Sequence, residues 1–339
     1  MFKAEFELEA ITPIFMRGAD QSKAEIRASS IKGLMRWWFR ALAGNYFGDD
    51  IAGLRRAEEY VFGSTGQRSR VIVEVEAPEP EEFNFSDFRD LSYLWFSIKL
   101  SRPRYYYSAG IRFKIKLKGS DYKAYVASLV SLWALACLGG IGFRSRRGAG
   151  SVRFVEGDFD EFERRGIACT FTSYRDLTNS INNAINAIGE AFNLRRLKIH
   201  PQTYPILSSE TACVGLWNPR TGNPVLALKR FQNEYTNFRR KEIEKKSRIV
   251  FGLPIKLSGK GVGDIRDKLR KLGQCRRGSP MFVGLINIGK FLHVKIIKFY
   301  TDPYHPDSYI NDIVDWLILS NFDESLNERT VFGSLEVFK

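Results

Sequence analysis

Histidine and cysteine are scarce. Three histidines (His200, His293, His305) and four cysteines (Cys137, Cys169, Cys213, Cys275) are spread over 339 residues. The cysteines form no Cys-x-x-Cys pair and no Cys/His ligand spacing, which argues against a structural zinc and for a reduced, cytoplasmic protein. No paired acidic arrangement suited to Mg²⁺ is present, and no Gly-x-Ser-x-Gly or Cys/His nucleophile pattern. Without an acid–base or metal-binding constellation, no cofactor and no metal are expected, and catalysis is not the first reading. Long apolar runs are missing as well. The longest, residues 124–138, has 15 residues and is broken by Ser128 and Ser131. A membrane span needs about 18–20, so this run is predicted to be a buried helix, with no membrane partner. The start of the chain, Phe2-Lys3-Ala4-Glu5-Phe6-Glu7-Leu8-Glu9, alternates apolar and charged residues as a strand does and a signal peptide does not.

Acidic residues are the other deficit: 38 Asp+Glu stand against 52 Lys+Arg, a net charge of +14. Of the 52 basic residues 31 are arginine, whose forked guanidinium suits phosphate oxygens. A polyanion is the implied partner, with nucleic acid ahead of a membrane surface. Apolar content of 44% and charged content of 27% are globular values, and 339 residues make about two domains.

The periodicity predicts strands at 2–11, 71–75, 111–117 and 151–156, with helices at 31–43 and 122–138. Arg112, Lys114 and Lys116 give the third strand a basic outer face. The resulting β-α-β-β-α-β order is the ferredoxin-like arrangement. Beyond residue 160 the parts recur: a β-like run at 169–174, helical patterns at 177–192, 225–246 and 310–319, β runs at 281–288 and 293–300, and a closing strand at 331–338. Residues 204–217, which contain Pro205, stay unassigned. The expected fold class is α+β, with two ferredoxin-like domains in tandem, 1–160 and 161–339, the second with inserted helices.

Two stretches carry the chemistry. On the first helix Lys32, Arg36 and Arg40 recur at i, i+4 and i+8, and residues 29–45 contain no acid. Like charges at that spacing repel, so an external anion is expected to complete the stripe; a solvated face, or acids from elsewhere in the fold, is the alternative. The second stretch is Gly139-Gly140-Ile141-Gly142-Phe143-Arg144-Ser145-Arg146-Arg147-Gly148-Ala149-Gly150. Its glycines permit positive φ and close approach of a ligand to backbone N–H groups, while Arg144, Arg146 and Arg147 supply countercharge. It lacks the Gly-Lys-Ser/Thr of a Walker loop, and it joins helix to strand rather than strand to helix. A flexible connector is the bland alternative. Arg17-Gly18-Ala19-Asp20-Gln21 and Arg276-Arg277-Gly278-Ser279-Pro280 read as basic loops or simple turns. Tyr105-Tyr106-Tyr107 reads as a base-stacking platform or a tyrosine-rich β edge.

These residues are recognisable together. The run from Ile11-Thr12-Pro13 to Asp20-Gln21, the helix entry Ser29-Ser30-Ile31-Lys32-Gly33-Leu34-Met35-Arg36-Trp37-Trp38-Phe39-Arg40, and Gly139 through Gly150 resemble the RAMP superfamily of CRISPR–Cas proteins. More narrowly they resemble the first-subunit family of the Cmr complex, the type III-B effector that targets RNA with a CRISPR RNA. The likeness covers roughly residues 1–155, with Arg276-Arg277-Gly278-Ser279-Pro280 as a further similar element. It implies paired ferredoxin-like domains and RNA on a basic surface near the glycine-rich loop. It also implies a place at the head of the complex, near the 3′ part of the guide and the 5′ part of the paired target. CRISPR RNA, target RNA and the other Cmr subunits are the implied partners, and the role is non-catalytic. Nuclease subunits of related complexes carry a catalytic Asp in a comparable loop, which makes Asp20 the candidate for an alternative endoribonuclease. The expected RNA-binding set is Arg17, Lys32, Arg36, Arg40, Gly139, Gly140, Gly142, Arg144, Arg146, Arg147, Gly148, Gly150, Arg276 and Arg277.

Overall fold

The strict alternation of Phe2–Ala10 builds β1, whose even residues Ala4, Phe6, Leu8 and Ala10 are buried while the intervening glutamates face out. In the computed structural model, residues 1–20, 22–101, 103–241, 279–302, 321–322, 326 and 329–334 are described. After β1 come α1 (Ala28–Phe47), α2 (Ile51–Phe62) and β2 (Val71–Glu76). A short β3 (Glu81–Glu82), a 3₁₀ turn (Phe85–Leu91), α3 (Phe96–Ser101) and β4 (Tyr105–Tyr106) make an excursion before β5 (Arg112–Gly119), α4 (Tyr122–Cys137) and β6 (Val152–Gly157). Then follow α5 (Asp160–Arg164), α6 (Tyr174–Phe192), β7 (Ala212–Trp217), α7 (Pro224–Lys241), β8 (Met281–Ile288), β9 (Phe291–Phe299) and β10 (Arg329–Gly333).

The fold is α+β with antiparallel sheets. The first sheet has the order β2-β5-β1-β6 and the second β10-β7-β9-β8. Within each sheet the first strand in sequence lies between the third and the fourth, the second lies outside the third, and every pairing is antiparallel. The two sheets thus share one winding. α1 and α4 cover the first sheet; Ile31, Met35, Trp38, Phe39 and Leu42 of α1 are buried. α4 is buried almost all round, as its mostly apolar composition requires, and Ser128 and Ser131 are bonded to carbonyls of their own helix. No described helix is long and apolar enough to cross a membrane.

Several expectations are corrected here. The helix expected to end before Gly44 continues to Phe47 and stops at Gly48 with φ 54°. Gly44 is a packing residue, since a Cβ there would stand 2.7 Å from Ile206 Cγ1. Helix α2 went unread; Asp50 caps it by accepting the Gly53 N–H at 2.8 Å. The run at 169–174 is no strand and pairs only through an isolated bridge between Phe171 and Ile288. The unassigned stretch 204–217 holds β7, the first strand of the second sheet. The helix expected at 310–319 lies outside the described residues.

The basic outer face of β5 is also corrected, because its neighbours answer it. Glu5 meets Lys114 at 3.1 Å, Glu9 meets Arg112 at 3.3 Å and Arg153 at 2.7 Å, Glu74 meets Lys118 at 2.6 Å, and Glu76 meets Lys116. The register puts Glu9 directly across from Arg112 and Arg153, and the other pairs reach diagonally between adjacent strands. The open face of this sheet is therefore an ion-pair lattice.

Candidate nucleic-acid interface

The basic stripe of α1 is satisfied by the chain itself. Arg36 and Arg40 converge on Glu58 of α2, at 3.2 Å and 2.7 Å. Arg36 also donates to the Gly63 carbonyl. Lys32 Nζ donates to Ser69 Oγ at 2.6 Å and to the Val71 carbonyl at 2.9 Å. Burial, and then Arg36 nearby, pull the Lys32 amine below the usual lysine range. Glu58, brought over by helix α2, supplies one negative charge to a stripe that was expected to meet an external anion. These three residues brace α1 against α2 and β2.

The Gly/Arg loop is likewise engaged. Several of its backbone N–H groups are bonded within the chain: Ile141 to the Gly150 carbonyl, Phe143 to Phe15, Arg147 to Arg144, Gly148 to Val283 and Gly150 to Pro13, all at 2.7–2.9 Å. These bonds make the loop a tied crossing of the chain. Gly150 shows why glycine is needed, with φ 65° and the Ile141 carbonyl where a Cβ would stand. Gly139, Gly140 and Gly148 are buried within the crossing, and Gly142 lies on its outer wall. Arg146 donates to the Ser279 carbonyl at 2.9 Å and lies 4.4 Å over the Phe282 ring; Arg147 donates to the Met281 carbonyl at 3.0 Å. These bonds stitch the loop to β8, so the connector is a seam between the two sheets. Arg144, at φ 64°, donates to the Leu94 carbonyl at 2.9 Å and lies 4.8 Å over Phe96. Burial first, and then repulsion from Arg147, lower its guanidinium to about 10. It remains charged at neutral pH, and a carbonyl bond satisfies a donor without cancelling a charge.

The open surface lies beside this seam. A cleft of about 550 Å³ is bounded by Phe15, Met16 and Arg17 from the loop after β1, by Ser30, Gly33 and Leu34 from α1, and by Gly142 and Phe143. The first turn of α1 begins here with no side-chain cap and no acidic residue, so the positive end of its dipole is left open on this side. Among the described residues, Arg17 is the one member of the expected cationic set on this wall, together with Gly142 of the glycines. Lys32, Arg36 and Arg40 take other partners. Arg276 and Arg277 lie outside the described residues. Sequence reasoning weighed charge and passed over Gly33, Leu34 and Phe143; the legible signal was a glycine inside a helical pattern that does not end there.

The remaining candidates separate. Asp20 is exposed at the tip of the loop, where hydrogen bonds from the Ser22 hydroxyl (2.6 Å) and N–H (2.9 Å) hold its carboxyl below the usual range. Among the described residues no group of three or more His, Cys, Asp or Glu is placed to hold a metal ion. His293 is buried and bonded to the Tyr174 hydroxyl at 3.0 Å. Tyr106 and Tyr107 are buried, Tyr106 stacking on Phe15, which takes these two rings into the core, while Tyr105 is half-buried with the Arg104 guanidinium 5.3 Å over its ring.

Comparison with known proteins follows the same division of the chain. The RAMP superfamily family model matches residues 7–153, and the model for the Cmr1-like C-terminal region matches residues 214–335. The CRISPR system Cmr subunit Cmr1-1 of Pyrococcus furiosus is 37% identical over 338 residues, covering 97% of this chain and 96% of that one. Subunit Cmr1-2 of the same organism is 42% identical over 178 residues, 45% of this chain and 95% of its own length. The crystal structure of Cmr1 from P. furiosus in its apo form superposes with a TM-score of 0.74 at 34% identity, covering 98% of this chain and 99% of that one. A chain in the cryo-EM structure of the type III-B Cmr-beta complex bound to cognate target RNA shares the fold, with a TM-score of 0.62 at 16% identity over 94% of this chain and 99% of that one. With a relative this similar along nearly its whole length, and RAMP and Cmr1-like signatures on its two halves, the chain belongs to the Cmr1 family of the RAMP superfamily.

Proposed function

We propose that the protein is a non-catalytic RNA-binding subunit of a type III-B Cmr effector complex, holding CRISPR RNA or target RNA beside other Cmr subunits, with no membrane partner. It does so from two ferredoxin-like units, 1–160 and 161–339. The shared winding of the two sheets supports the duplicated fold. The observation that carries the RNA reading is the cleft at the start of α1. An uncapped helix N-terminus, Arg17 and an exposed aromatic ring meet there beside the loop that carries Arg144, whose guanidinium keeps its charge. The net charge of +14 adds a long-range attraction for a polyanion. The ion-pair lattice over the first sheet directs RNA away from that face and towards the cleft.

Titration of the full chain with labelled single-stranded RNA at several salt concentrations is the test. Binding is expected to weaken with salt at a slope of about −0.7 per neutralised phosphate. A flat salt response, or no binding in dilute salt, overturns the reading. Incubation of that RNA with and without Mg²⁺ is expected to leave it intact, and Asp20→Ala to bind as the parent does. Cleavage lost in Asp20→Ala replaces this reading with an endoribonuclease.

A further inference from the structure

Four glycines lie inside described helices, and three have a visible reason. A Cβ would strike Ile206 at Gly44, Asp50 at Gly53 and Tyr46 at Gly189. At Gly33 no described atom lies within 4 Å of that position. A glycine there costs α1 about 1 kcal/mol against alanine, with no packing return from the described residues. Its bare backbone forms the floor of the cleft.

Phe143 stands at the rim. It is 46% exposed, an unusual state for a phenylalanine in a chain that buries most of its rings. The turn that presents it is held rigid, with the Phe143 N–H on the Phe15 carbonyl at 2.7 Å and Gly142 at φ 83°. Phe15 and Leu34 make the inner wall apolar, while Ser30 and Arg17 place polar groups at its edge. At about 550 Å³ the cleft falls within the range of about 300–1,000 Å³ typical of small-ligand sites.

We propose that this cleft receives one unstacked nucleobase of a bound single-stranded RNA, over the bare backbone at Gly33 and against the ring of Phe143. The inference rests on the RNA-binding reading and adds a base to what charge alone would hold. Every base has a π-face, so the contact is tolerant of sequence. The phosphates flanking the base fall beside Arg17 and the start of α1. Electrostatic attraction and stacking are then separable, since only the first depends on salt.

The experiment compares a single-stranded oligoribonucleotide with an abasic ribose-phosphate oligomer of the same length, both titrated against the full chain. Phe143→Ala is expected to weaken binding of the oligoribonucleotide about 5- to 150-fold with an unchanged salt slope, and to leave the abasic oligomer unaffected. Phe143→Trp is expected to retain binding. Gly33→Phe fills the cleft from its floor and is expected to cause a comparable loss of affinity without lowering the thermal midpoint. Equal affinity in the parent and Phe143→Ala, or an equal loss on both oligomers, overturns the base site while the RNA reading stands. If the parent binds neither oligomer, the RNA reading fails and takes the base site with it.

Discussion

Glu58 shows what a single carboxylate decides. Its side chain is 15% exposed and receives two guanidinium groups that are themselves partly covered. Removing it strands both cations against α1, a situation that costs more than a surface ion pair returns. Glu58→Ala is expected to lower unfolding stability by about 1–3 kcal/mol, read by denaturant titration. The same variant is expected to keep its RNA affinity, because Arg36 and Arg40 serve the fold; a loss of affinity at unchanged stability would return them to the interface. The stripe was fully legible along the chain, but the acid that closes it is 18 residues beyond Arg40 and reaches it only through the packing of α2 on α1.

At the scale of elements, α1 carries two glycines with opposite duties. Gly33→Ala gains helix propensity in open space and is expected to raise stability by about 0.5–1 kcal/mol. Gly44→Ala gains the same propensity but drives a methyl into Ile206, which is buried, and is expected to lower stability by about 1–3 kcal/mol. Thermal unfolding of the two variants side by side measures the contrast. The Gly/Arg loop obeys a similar rule. Replacing Arg144, Arg146 and Arg147 together by lysine keeps three charges but loses the forked donors that reach the carbonyls of Leu94, Ser279 and Met281. That variant is expected to unfold at lower temperature while its RNA salt slope stays the same. Reversal to glutamate would confound the two effects, since the loop holds β8 as well as any ligand.

Across the whole molecule, the two sheets are joined by polar groups that have left water. Thr12 Oγ1 donates to the Gly148 carbonyl at 2.7 Å and accepts from the Ser151 N–H at 2.9 Å, and Ser151 Oγ accepts from the Leu285 N–H at 2.9 Å. Lys295 of β9 is buried and donates to the Cys137 carbonyl at the end of α4 at 2.7 Å. Burial lowers its amine to about 7. At Lys295 the folded chain therefore holds fewer protons than the unfolded chain from about pH 7 to 10.5, and this amine's contribution to stability rises with pH across that interval. Above pH 9 the Cys137 thiol, pushed up to about 12 by burial, works in the opposite sense. Between pH 7 and 9 the parent is expected to gain stability relative to Lys295→Met, read as the difference between their denaturation midpoints. A parallel pH response of the two proteins would place the charged amine in a solvated setting.

Composition and periodicity by themselves determined the α+β class, the four strands of the first sheet, the buried helix α4 and the excess of positive charge. Those properties follow from residue type and near-neighbour spacing, which the chain carries locally. Only tertiary structure decided which cations stay available. Glu58, the β1 and β2 glutamates and the β8 carbonyls lie far from their arginines and lysines in sequence, and long-range packing alone sets them at hydrogen-bonding distance. The same packing left Gly33 facing an empty cleft and Phe143 in the open, because what surrounds a residue depends on the elements folded against it.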